Sequence, residues 1–413
     1  MISIKNYFDK LWRLQSRPGD AGHKALILAW SHPRNTVLSL TASLAGGLAA
    51  NNIDVTIINL SDKRQRRKMA TYHKQFFNQI FIMGALPLRY KCNGISIQDY
   101  FEGNIYFWVL DPVIYDLDRV TEVRGYFEKA QNSEKLYCLF PDRSNIKFMA
   151  DWIGNKAIYF PFAGSFNHQA NPQANSVSTN QNKSGIVVLA NIGQELNDRA
   201  SQALPNIIDE LDPFGLSAGQ IKNLADHVMN DEENSNIAVS VKNFMNMPFQ
   251  DMYNPRTINL LAAMDASEKR RRRIKVVESI RSLKIDIIGE GWEQIFGERP
   301  NITYSKKPVQ HERPYDLFSD YKVLLDFSPN WDHGFNDRVI TSLGAGCRVV
   351  TSKNLATTEL CDAANLISTY PMVHPEPTEG LEIALAASCI DENLIETIQH
   401  DHNWSKRVQQ LVT

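Results

Sequence analysis

Short apolar runs bounded by loop residues recur along this chain and alternate with stretches of helical spacing. Lys24–Trp30 (KALILAW), Asp54–Leu60 (DVTIINL), Gln79–Met83 and Ile105–Leu110 read as buried strands, and a further run, Ala157–Phe160, stops at Pro161. Ser31–Asn35 forms a loop after the first strand, and Thr36–Asn51, rich in Ala, Gly and Ser, a helix. Strand and helix in alternation predict parallel strands joined by crossovers, so this half should make one doubly wound domain of four or five strands. The rhythm restarts at Gly185–Asn191 (GIVVLAN) and continues at Ile285–Gly289, Val323–Phe327 and Arg348–Ser352. Between them, about residues 195–283, lies a mostly helical insertion longer than an ordinary crossover. The pattern predicts an α/β protein of two Rossmann-like doubly wound domains facing a central cleft, where the chemistry is expected.

Residues 167–184 (NHQANPQANSVSTNQNKS) have almost nothing to bury and read as a linker or exposed loop. The expected organisation is therefore 1–166, linker, 185–390, and a C-terminal helix over 391–413 that could pack back on the first domain. A chain of 413 residues is too long for one core, which agrees with two domains. A net charge of -2 gives no global attraction to nucleic acid. Cys92, Cys138, Cys347, Cys361 and Cys389 are odd in number and dispersed, so neither a disulfide framework nor a zinc knuckle is indicated, and a reducing cytoplasm fits. The first twenty residues intersperse charges among apolar positions, unlike a signal peptide, and no run approaches the ~20 apolar residues of a spanning helix.

The chemistry concentrates in Lys322–Asn354, which reads as strand, loop, short helix, strand. After the break at Ser328–Asn330 the loop carries His333, Gly334, Phe335 and Asn336, and the helix that follows, with Val339, Ile340 and Leu343 at helical spacing, stops at Gly344 and Gly346. Amides at the start of such a helix suit an anion, and Arg338, one turn in, would add a fork of donors for a diphosphate. Asp286–Trp292 runs from strand into a GEG turn. Gly289 and Gly291 there would let backbone approach a ligand, with Trp292 beside a base or sugar; the alternative is a tight turn with Trp292 as an anchor. The three-glycine dinucleotide fingerprint is absent, as are GxSxG and a phosphate loop ending GK[ST]. Two basic runs stand out. Lys63–Lys68 is a solvated face or a contact for an anionic membrane or acidic partner, and Lys269–Arg273 cannot lie on one helix face, so at least one arginine should point inward to a phosphate. His32 and Asp111, at the ends of strands, are candidates for a general base. No His, Cys or carboxylate spacing, His311 and His333 included, suggests a metal site.

These segments, with Tyr106–Pro112 (YFWVLDP), Ala157–Ala163 (AIYFPFA) and HGFNDRVITSLGAGCRVVTS, resemble glycosyltransferases of the GT-B fold, and among them the CgeB-like, spore-maturation-type family. The resemblance implies a metal-independent transfer of a sugar from a nucleotide-diphosphate donor to an acceptor hydroxyl, with no cofactor beyond the co-substrate. The first domain would take the acceptor, a polysaccharide, lipid-linked glycan or protein, and the second the donor. In that family the arginine of an R-x-x-E pattern lies near the donor. Arg338 matches it, while Thr341 stands where the glutamate is common and His333 where a second one falls in related enzymes. By this likeness Gly334–Asn336 and Arg338 would hold the diphosphate, Thr341 the ribose, and the Ile302–Lys307 loop, including Tyr304, the base. Asp337 should turn its side chain away from the phosphate. Arg338→Ala should then lower transfer by ~10²-fold or more and leave the fold intact. A nucleotide-sugar epimerase of this fold and a non-catalytic glycan- or partner-binding member are the alternatives.

Overall fold

A computed structural model describes residues 22–30, 36–166, 183–192, 202–234, 236–305, 314–327, 331–364 and 366–412. The chain divides into two compact units. The first comprises Met1–Pro141, Trp152–Phe160 and Asn403–Thr413, the second Asp142–Asp151 and Pro161–His402.

The first unit is built on strands β1 (Lys24–Ala29), β2 (Asp54–Asn59), β3 (Gln79–Met83), β6 (Asn104–Trp108), β7 (Leu136–Phe140) and β8 (Ala157–Tyr159), all parallel in the order β2-β1-β3-β6-β7-β8. Two residues each from Lys91–Cys92 (β4) and Ile95–Ser96 (β5) form a separate antiparallel hairpin, turning at Asn93 and Gly94, both of positive φ. The central strands are buried after their first residue, with Leu26, Ile27, Ile80, Phe81, Ile105 and Phe107 fully enclosed, because helices cover both faces of a parallel sheet. The sheet holds six strands rather than four or five: Leu136–Phe140 (LYCLF) is the additional one.

The final helix, Trp404–Val412, belongs to this unit. Trp404 packs edge-on against Trp108 at 5.4 Å, and Asn51 donates from Nδ2 to the Ser405 carbonyl at 3.0 Å. Gly47 makes room for this packing, since a Cβ there would lie 2.6 Å from the Trp404 carbonyl oxygen.

The second unit has strands β9 (Ser184–Leu189), β10 (Ile285–Ile288), β11 (Ile302–Ser305), β12 (Tyr321–Leu325), β13 (Arg348–Ser352) and β14 (Ile367–Tyr370), all parallel in the order β11-β10-β9-β12-β13-β14. Renumbered within the unit this is 3-2-1-4-5-6, so the winding reverses between β9 and β12, the crevice where such sheets take ligands. Residues 302–305, expected as loop, are the edge strand β11.

The insertion after β9 consists of helices Leu204–Leu211, Ala218–Asn230, Ile237–Met245 and Pro255–Ser279. It is tied to Arg143–Ile153, the helix after β7, where Tyr253 donates its hydroxyl to the Phe148 carbonyl at 2.6 Å and Phe148 meets Phe249 and Tyr253 edge-on. Among the described residues no helix is long and apolar enough to cross a membrane. The 167–184 linker falls, up to residue 182, outside the described residues.

Candidate functional site

At the carboxyl edge of the second sheet, β12 leads to residues 331–336 and the helix Asp337–Gly344. The loop is held from three directions. Asp142, fully buried, accepts from the Asp332 amide through Oδ2 and from the His333 amide through Oδ1, both at 3.2 Å. Asn236, at the start of the third insertion helix, donates its amide to Asp332 Oδ1 at 2.9 Å, so the insertion braces this loop. Asn354, after β13, donates from Nδ2 to the Gly334 carbonyl at 3.0 Å, and Trp331 and Phe335 are buried beneath. Burial pushes the Asp142 carboxyl up to about 7, helped by the charge of Asp332 and opposed by the Ser144 and His333 amides.

Arg338 does not offer an open fork. Its Nε meets Asp326 Oδ1 at 2.5 Å, Nη1 donates to the Leu189 carbonyl at 2.8 Å and Nη2 reaches the Phe327 carbonyl at 3.5 Å. Asp326, the residue after β12, has no exposed side-chain surface and also accepts from Thr351 Oγ1 at 3.2 Å. The guanidinium therefore neutralises a buried carboxylate and joins the ends of β9 and β12, bonds that compete with its expected role as a diphosphate ligand.

Asn336 turns its side chain to the Phe327 carbonyl at 3.2 Å instead of capping the helix, which begins with no side-chain cap. Uncapped first-turn amides suit an anion. Thr341 is likewise engaged: at 1% exposure its hydroxyl donates to the Asp337 carbonyl at 2.9 Å and accepts the Ser165 amide at 3.1 Å, so it is enclosed. At the C-terminal end of this helix, Lys183 donates to the carbonyls of Ala345 and Gly346, both at 3.0 Å.

His333 lies between opposite charges. Its Nε2 is 3.0 Å from both Arg143 Nη1 and Glu359 Oε1. One ring nitrogen either donates to the carboxylate or accepts from the guanidinium, so the tautomer selects the partner. Sequence reasoning named His333 but not Asp142, Arg143, Asn236, Asp326, Asn354 or Glu359, whose involvement depends on distant parts of the chain.

The GEG turn is a packing device. Gly289, at φ +155°, lies where a Cβ would sit 1.9 Å from the Ala190 carbonyl oxygen, and Gly291, at φ +89°, starts a short helix. Trp292 is 1% exposed, donates from Nε1 to that same carbonyl at 2.7 Å and stacks on Phe296. Trp292 is thus packed as a core anchor, one of the two readings of its position. Tyr304, on β11, has a buried hydroxyl that finds no hydrogen-bond partner among the described residues. Burial raises its pKa, Arg299 lowers it and Glu293 raises it.

Of the arginine run, Arg271 and Arg272 both pair with the buried Glu268, and Arg273 donates to the Asn191 carbonyl at 2.8 Å, at the end of β9. One arginine does reach the sheet edge, where it donates to that carbonyl.

In the first unit Asp111 is exposed three residues after β6. Asp116, which sequence reasoning missed, lies in the helix Val113–Arg119. Burial raises its carboxyl pKa well above the usual range, and the charge of Asp111 adds to the rise. Its Oδ2 is buried without a hydrogen-bond partner among the described residues. His32, His311 and Lys306–Lys307 lie outside the described residues.

Residues 270–413 match the family model described as glycosyl transferase-like. No curated protein matches the chain. Among solved structures, sucrose-phosphate synthase of Thermosynechococcus elongatus aligns over 95% of this chain and 98% of its own, at 10% identity and a TM-score of 0.51. Anabaena HepE in complex with UDP and glucose aligns over 95% and 98% at 11% identity and TM-score 0.49, and AviGT4, involved in avilamycin A biosynthesis, over 95% and 96% at 8% and 0.48. The two parallel-sheet units have the GT-B fold.

Proposed function

We propose that the chain transfers a sugar from a nucleotide-diphosphate donor to an acceptor hydroxyl without a metal ion. The observation that carries this reading is one of position: the glycosyl transferase-like match spans β10 to β14, and with them the loop and uncapped helix at the switch-point edge of a 3-2-1-4-5-6 sheet. The donor diphosphate would meet the amides from Gly334 to Asn336, and the base would lie towards β11 and Tyr304. As the acceptor oxygen bonds to the anomeric carbon, the bond to the diphosphate breaks and its electron pair leaves with the nucleoside diphosphate. Fixed amides at that oxygen stabilise the charge as it develops. The acceptor proton would pass to a base of the first unit, Asp111 or His32.

Arg338 acts here as a positioning residue, holding the loop through Asp326. Kinship with the CgeB-like group, a cytoplasmic location and a polysaccharide, lipid-linked or protein acceptor belong to the same proposal, supported by the motifs at Tyr106–Pro112 and His333–Ser352. Calorimetric titration of the purified protein with a panel of nucleotide sugars tests it, followed by detection of released nucleoside diphosphate with and without EDTA. Binding of at least one donor and EDTA-resistant release are expected. Binding of none overturns the transferase reading, and loss of release in EDTA overturns metal independence.

A further inference from the structure

We propose that the first unit carries a docking face for an anionic lipid bilayer, made by the helix Lys63–Met69 with Phe76 and Ile95. The helix starts at Asp62, whose side chain accepts the Arg64 amide at 2.7 Å, and contains no acidic residue. Two of its side chains turn to the protein: Gln65, which accepts the Asn59 amide at 2.6 Å, and Met69, fully buried. At about 100° per residue these two are roughly 40° apart, so Lys63, Arg64, Arg66, Arg67 and Lys68 spread over a broad outward arc of roughly 200°. Lys63, Arg64, Arg67 and Lys68 are exposed and Arg66 half-buried; cations this close repel one another and are stabilised by a surface of opposite sign.

The neighbouring segments, both tied to this helix, add exposed apolar groups. Tyr90 donates its hydroxyl to the Arg66 carbonyl at 3.0 Å, which ties the helix to the β4–β5 hairpin; Lys91 is exposed beside it, and Ile95, next to the hairpin turn, is 40% exposed. On the other side Tyr72 donates its amide to the Met69 carbonyl and stacks at 5.6 Å on Phe76, which is 41% exposed with Lys24 Nζ 4.1 Å from its ring centre. Four large apolar side chains are exposed among the described residues, and these are two of them, Phe76 with the Lys24 ammonium over its ring. Cations alone would suit any polyanion. Apolar tips beside them suit a bilayer interface, with lysine and arginine at the lipid phosphates and Phe76 and Ile95 at the acyl boundary.

The face owes nothing to sugar chemistry, so its test is read without a sugar and can fail while the transferase reading stands. Full-length protein is sedimented with vesicles of phosphatidylcholine alone and of phosphatidylcholine with one third phosphatidylglycerol. Binding to the anionic vesicles only is expected, with release near 1 M salt, where screening acts within about 3 Å. With roughly a fivefold contribution per cation, the Arg64→Glu/Arg67→Glu variant should bind at least about a hundredfold more weakly. Phe76→Ser/Ile95→Ser should weaken binding several-fold and keep the salt dependence. Circular dichroism checks that each variant folds; should the charge reversal not fold, the wild-type salt series and the apolar variant still decide. Equal sedimentation with neutral vesicles, undiminished binding by the charge reversal, or displacement by soluble heparin with no effect of the apolar variant would each overturn the proposal, the last in favour of a soluble polyanion.

Discussion

Arg338→Ala should unfold the second unit more readily, and the structure sets the size of the effect. The substitution leaves the Asp326 carboxylate, without exposed surface, in contact with the Thr351 hydroxyl but stripped of its cation, and also removes the donor that holds the Leu189 carbonyl. Breaking a buried pair from one side costs about 3–5 kcal/mol, because a charge remains buried without compensation. Arg338 retains 20% side-chain exposure, so water can enter in its place and the lower end, about 3 kcal/mol, applies. For a unit of this size each kcal/mol moves Tm by about 2–4 °C, which gives a drop of about 6–12 °C. Differential scanning calorimetry measures it, with each unit's transition fitted separately because two units need not melt together. Arg338→Met combined with Asp326→Asn, which removes both charges, should recover most of the loss. An Arg338→Ala protein that melts within a degree of wild type but no longer binds any nucleotide diphosphate would refute the reasoning and return the guanidinium to the ligand.

Other consequences follow from burial and backbone geometry. Because the folded Asp142 carboxyl titrates at about 7, above its unfolded value, its contribution to stability is complete below about pH 4 and is lost as pH rises through 7. Urea unfolding should therefore show roughly 1 kcal/mol less stability at pH 8 than at pH 6 from this group, and Asp142→Asn should remove that difference; equal wild-type stability at the two pH values contradicts it. Gly289→Ala places a Cβ 1.9 Å from a backbone oxygen at φ +155° and should cost about 3 kcal/mol or prevent soluble expression, read from yield and melting. Gly125→Ala, in the helix Thr121–Ala130 with nothing within 4 Å of the new Cβ, should instead raise stability by up to about 1 kcal/mol by the same melting assay.

The strands that sequence reasoning identified are those whose apolar run is long and clearly bounded, such as Lys24–Ala29 before SHPRN. Those it missed have different causes. β11 and β14 are sheet edges of four residues with only part of their surface buried, so neither length nor alternation separates them from loop. β7 was legible, since LYCLF stands between Ser133–Lys135 and Pro141–Asp142. Passing over it also hid Asp142, which follows that strand and secures the loop 190 residues further on.

The site shows the limit of local reading in another way. Residue type and spacing put an arginine one turn into a helix at the sheet edge; it is the helix's second residue, and a guanidinium binds whichever anion is nearest and best desolvated. Asp326 is twelve residues before it and Leu189 is 149 before it, so its partners are decided by strand order and not by the motif. Thr341 is a local counterpart: a threonine inside a helix can return its hydroxyl to the carbonyl four residues back, and here that competes with any ligand. Under the proposed function, with Arg338 and Thr341 both engaged internally, the groups left to meet a diphosphate would be backbone amides of the loop and helix start. Their alignment depends on Asp142, Asn236 and Asn354. Donor affinity should accordingly be more sensitive to these three loop supports than to the motif threonine, since a shift of the loop displaces several amides together.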